Sequence, residues 1–107
     1  MANVAPTTAE GGNGTQVAKW VLQVGDVGLP VALAGWPDKT VQIISATGTA
    51  SLEGSNDGGT TWSPVSDTGG TAITAKGQGL YTLRDNPALL RINTVATAAV
   101  TVQLIAH

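Results

Sequence analysis

Apolar and polar residues alternate with a period of two along much of this chain, beginning at Val17. In "VAKWVLQV" (17–24), Ala18, Trp20, Leu22 and Val24 share one face of an extended chain, and Val17, Lys19, Val21 and Gln23 share the other. "TVQIISA" (40–46) is rich in β-branched residues, which fit a pleated sheet. "ASLEGS" (50–55) alternates Ala50 and Leu52 with Ser51 and Glu53. In "AAVTVQLIA" (98–106), Ala98, Val100, Val102 and Leu104 face one way, and Thr101 and Gln103 the other. Shorter candidates are "VALA" after Pro30, "WSPV" with Pro64 marking a sheet edge, "AIT", "GLYTL" and "ALLRINTVA". Turn-forming runs separate them: "GDVGLP", "GWPDK", "SDTGGT", "AKGQG" and "RDNP". No window holds a sustained helical stripe. About eight short strands with turns between them predict an all-β, single-domain antiparallel sandwich, jelly-roll-like, over residues 17–107. Residues 1–16, "MANVAPTTAEGGNGTQ", are small, polar and glycine-rich. They read as a flexible N-terminal arm, either idle or ordered against a neighbouring subunit.

The chain has 107 residues, enough for one domain with one modest core. With no Phe and one Tyr, that core relies on Val, Leu, Ile and the three Trp residues, so subunit contacts are expected to supplement it. Only 11% of residues are charged, which leaves a surface of Thr, Ser, Ala and Gly suited to close protein contact. Five Lys and Arg against seven acidic residues cannot make the basic stripe that phosphate backbones require, so no nucleic-acid partner is expected. No apolar run approaches membrane-spanning length, and the first residues lack the charged and apolar regions of a secretory signal, so no membrane role is expected. There is no Cys, hence no disulfide and no thiolate metal site.

The most legible stretch is "SNDGGTTW" (55–62). Ser55, Asp57, Gly59, Thr61 and Trp62 fit S-x-D-x-G-x-T-W, which resembles the Asp-box found at hairpin turns of sialidases and other β-proteins. Each residue has a structural job. Asn56 and Asp57 accept hydrogen bonds from nearby backbone N–H groups. Gly58 and Gly59 supply positive φ, and Trp62 packs back over the hairpin. The functional alternative is a sialidase-like or glycan-binding site. A sialidase needs an arginine cluster and a tyrosine with a carboxylate partner, and this chain offers Arg84, Arg91 and Tyr81. Calcium would draw on Asn56, Asp57 and Asp67, too few oxygens for its usual six to eight. No metal and no cofactor is expected.

The single His is the last residue, His107, so no ordinary nucleophile–base pair exists. Of the acidic residues Glu10, Asp26, Asp38, Glu53, Asp57, Asp67 and Asp85, only Glu53 falls in a predicted strand, where a solvent-facing position explains it better than a glycosidase pair. No catalytic residues are assigned and no enzyme is expected. Trp36, followed by Pro37, sits in a loop where it either packs on its own domain or anchors a partner.

The run 29–67, with "GLYTL" and "NPALLRINT", is similar in layout to small structural proteins of tailed bacteriophages. Those chains combine a V-x-L-x-G-S-N-D-G-x-x-W hairpin, a D-x-x-G loop and a late P-x-x-x-R strand, matched here at Ala50–Trp62, Asp67–Gly70 and Pro87–Arg91. The hairpin alone also resembles discoidin-type and other carbohydrate-binding sandwiches. The phage resemblance implies a capsid decoration (cement) protein, made in the host cytoplasm and carried on the capsid surface of the virion. It implies the major capsid protein as partner and a homo-oligomer, with a trimer favoured. Val4 and Pro6 of the arm, with Trp36 and Pro37, are the expected contact residues. A carbohydrate- or receptor-binding module, or a tail or baseplate component, is the alternative.

Overall fold

The structure, a computed structural model, describes residues 3–12, 14–45, 47–93 and 98–107. Among these lie ten strands: β1 (Asn3–Val4), β2 (Thr7–Gly12), β3 (Thr15–Leu22), β4 (Val27–Gly28), β5 (Lys39–Ile44), β6 (Leu52–Ser55), β7 (Ser63–Pro64), β8 (Gly79–Thr82), β9 (Leu89–Ile92) and β10 (Val100–Ala106). No described residue is helical. Two antiparallel sheets, ordered β2-β3-β10-β5-β8 and β7-β6-β9, supply the two sides of the sandwich, and a short parallel pair β1-β4 lies beside them. The expected all-β, jelly-roll-like sandwich is what the chain forms.

Alternation sorts the core. On β3, Ala18, Trp20 and Leu22 are fully buried while Lys19 and Val21 are exposed. On β10, Val100, Val102, Leu104 and Ala106 point inward. Val41 and Ile43 join them from β5, and Leu52, Leu90 and Ile92 come from β6 and β9. Trp20 anchors this core: its indole N–H donates to the Leu29 carbonyl at 2.9 Å. Burying a side chain of roughly 200 Å² at ~25 cal/mol per Å² stabilises by about 5 kcal/mol. Its seat requires Gly28, where a Cβ would come within 2.8 Å of the Trp20 ring and 3.1 Å of Ile92.

Several expectations need correction. The N-terminal stretch is not a separate arm. β1 pairs with β4, Leu29 N–H donates to Val4 O, and β2 lies antiparallel on β3. Glycines that read as signs of flexibility are equally hairpin signals, and here they lead from β2 into β3. "VALA" is not a strand, because Trp36 N–H bonds Leu33 O in a turn and Val31 makes only an isolated bridge to Leu90. "AIT" likewise contributes one bridge, Ser66 with Ala72, although Ile73 is fully buried. Val24 leaves the core face, because Asp26 closes a turn onto Gln23 through backbone and side-chain bonds. Ala46 and residues 94–96, expected in strands, lie outside the described residues.

Candidate functional site

The Ser55–Trp62 segment forms the expected tight turn, except that Asn56 accepts not from a neighbouring N–H but from Ala88 N–H, 32 positions away. Ser55 is buried at the end of β6; its Oγ donates to Asp57 Oδ1 (2.7 Å) and accepts from Gly59 N–H (3.0 Å). Asp57 Oδ1 also accepts from Thr61 N–H at 2.9 Å. Gly58 and Gly59 take φ of 75° and 91°, where a Cβ is penalised. The Thr61 N–H, then the Ser55 hydroxyl, stabilise the Asp57 carboxylate and hold its pKa at about 2. The side chain is exposed, so this is a local turn device and not a buried charge. A similar device recurs ten residues later, where Asp67 Oδ1 accepts from Gly69 N–H (2.9 Å) and Thr71 N–H (3.0 Å).

Trp62 is half-buried and carries the Arg91 guanidinium over its ring, 4.2 Å from the centroid. Arg91 in turn donates from Nε (3.0 Å) and Nη2 (2.9 Å) to Glu53 Oε1, and Asn93 reaches Glu53 Oε2 at 3.4 Å. Glu53 and Arg91 are direct cross-strand partners on β6 and β9. Glu53, expected as a plain solvent-facing position, is therefore a paired one. Sequence inspection could not find this stack, since its carboxylate and guanidinium lie 38 residues apart and meet only through strand register.

The same turn forms one wall of a cleft of about 400 Å³, lined by Gly54–Asp57, Thr61, Ser63–Val65, Asp85 and Pro87. Asp85 enters from the loop before β9, where its Oδ2 accepts Ser66 N–H (2.8 Å) and its Oδ1 lies 3.4 Å from Arg84 Nε. Asn56, also in the lining, ties the turn to the same loop, its Oδ1 accepting Ala88 N–H at 2.7 Å.

A second unforeseen cluster centres on Lys39. Its side chain points inward, 1% exposed, and its ammonium donates to Trp36 O at 2.7 Å and to Asn86 Oδ1. Asn86 Nδ2 donates to Ala34 O at 3.1 Å. Burial pushes the amine below the usual lysine range, and Asp38 pulls it part of the way back. This clamp fixes the Trp36 loop. Trp36 itself is half-buried and packs against the core, as does Val4; Pro6 is half-buried and Pro37 exposed. Thus the turn residues come together as one unit. The Val4–Pro6 and Trp36–Pro37 segments are tied to different places, Val4 to Leu29 and Trp36 to Lys39.

The groups weighed for other chemistry are engaged apart from one another. Tyr81 OH donates to Gly77 O at 2.9 Å, Arg84 faces Asp85, and Arg91 faces Trp62 and Glu53. Among the described residues no three His, Cys, Asp or Glu side chains stand together as a metal set. No described helix is long and apolar enough to cross a membrane.

Solved structures share this architecture. One of them is a cupin domain from Bordetella pertussis Tohama I, 20% identical, with a TM-score of 0.54, the match covering 99% of this chain and 95% of that one. At that identity the likeness is one of fold alone. No family model and no curated protein matches the chain.

Proposed function

We propose that this protein is a non-catalytic capsid decoration protein of a tailed bacteriophage, which clamps the outer shell as a homo-oligomer, a trimer by preference. The observation that carries the reading is the outward face of the five-stranded sheet. Strand register sets Val21, Thr101 and Ile44 in one row, Lys19, Gln103, Gln42 and Leu80 in the next, and Val17, Ile105, Thr40 and Thr82 in a third. Lys19 is the only charge in those rows. Val21, Ile44 and Leu80 are 56%, 42% and 70% exposed. A broad, nearly uncharged sheet face of mixed aliphatic, Thr and Gln side chains, with Val21, Ile44 and Leu80 exposed on it, suits contact with another protein. The edge strand β2 extends this surface, with all six residues exposed and one edge unpaired among the described residues. Val4 and Trp36 are no longer the main contact residues on this reading, since both already pack on their own domain.

On this reading each copy contributes a modest contact, and many copies across the shell make the total large. The test is co-sedimentation with empty capsids assembled from the major capsid protein of the same genome. Saturable binding of the wild-type protein, together with a multimeric mass in solution, is expected. A monomer that remains in the supernatant overturns the reading.

A further inference from the structure

We infer that the cleft between the Ser55–Trp62 turn and the Asp85 loop is a binding site for a neutral, polyhydroxylated ligand such as a hexose unit of a glycan. The inference rests on the cleft alone and stands apart from the capsid reading. Its volume, about 400 Å³, is in the range of small-molecule sites. The cleft lining keeps unspent donors and acceptors. Asn56 gives its carbonyl oxygen to Ala88 N–H, which leaves the amide NH2 as a double donor. The Ser63 hydroxyl, exposed on β7, makes no hydrogen bond among the described residues. Asp85 Oδ1 has only the long 3.4 Å contact with Arg84, so it can accept a shorter bond. Pro64 adds an apolar surface against which the C–H face of a sugar ring can lie.

Charge decides the ligand class. Two carboxylates, Asp57 and Asp85, line the cleft, and Arg84 offsets one of them. An anionic sugar or a phosphate would meet net negative charge. A cation would find Asp57 already receiving hydrogen bonds from Thr61 and Ser55, and Asp85 already facing Arg84. What remains matches hydroxyl groups, which donate and accept in turn.

The site can be tested by titrating the labelled protein with maltose, cellobiose, lactose and chitobiose, following backbone amide resonances. 3′-Sialyllactose and a diamine serve as charged controls. At least one neutral sugar is expected to shift resonances confined to residues 55–65 and 84–88. Ser63→Ala should weaken that binding about 2- to 10-fold, the equivalent of one hydrogen bond, and Ser63→Trp should abolish it by filling the cleft. Both variants should melt like the wild type, because Ser63 is exposed and its side chain supports nothing else. Silence with every neutral sugar, shifts mapping elsewhere, or tighter binding of either charged control at the cleft each overturns the inference. Capsid co-sedimentation of Ser63→Trp is expected to be unchanged, so failure here and failure of the decoration reading are separate results.

Discussion

The two sheets treat their outward faces in opposite ways. The small sheet closes its own surface: Glu53, Arg91 and Trp62 stack on one another, and half-buried charges find partners within the chain. The large sheet leaves its surface open, with Val21, Ile44 and Leu80 exposed and Lys19 the only charge in its three central rows. Both faces derive from the same alternation. The difference teaches that two faces built on the same alternation can dispose of their polar groups differently, one pairing its charges within the chain and the other carrying almost none; the decoration reading takes the second as its contact face.

The sharpest way to break the comparison is to charge the open face. Val21→Lys with Ile44→Lys places two cations in one row, flanking Thr101. Association measured by mass in solution and by capsid binding should be lost, while the melting curve changes little, since exposed positions usually contribute within ±0.5 kcal/mol. Retained association would remove this face from the interface. The complementary cut is Arg91→Ala on the closed face. It leaves Glu53 without its strongest donor and Trp62 without its cation, so urea unfolding should lose about 2–3 kcal/mol. Capsid binding per folded molecule should stay unchanged. A smaller loss is expected for Gly58→Ala, about 1–2 kcal/mol, because only φ is penalised and no neighbour lies in the way. The smallest effect is acid-dependent. The Asp57 pKa is about 2 in the fold against an ordinary 3.8, so its contribution is complete above 3.8 and disappears as pH falls toward 2. Unfolding followed between pH 5 and 2 should show Asp57→Asn losing part of that slope; identical slopes would show the carboxylate to be idle.

Much of the architecture was legible in residues whose neighbours are close in sequence. The 55–62 turn was readable because each hydrogen bond within it spans at most four positions. The inward sets of β3 and β10 were readable because two-residue alternation is a local property. The N-terminal strands were missed because composition cannot tell a glycine-rich hairpin from a glycine-rich tail; only a partner strand decides. Lys39 gave no warning of burial, since its acceptors, Trp36 O and Asn86, are a backbone atom and a residue 47 positions away. Asp85 looked like one more turn residue until the fold set it in one cleft lining with Asn56, 29 positions away in the chain.

By itself, then, the sequence determined the all-β class, the inward faces of the long strands and the chemistry of the Asp57 turn, all of which follow from torsional preference and short-range hydrogen bonding. Tertiary structure alone decided which strands became neighbours. That choice pairs Glu53 with Arg91, buries Lys39, opens the cleft and leaves one sheet face bare, because register and sheet order depend on contacts between residues far apart in the chain.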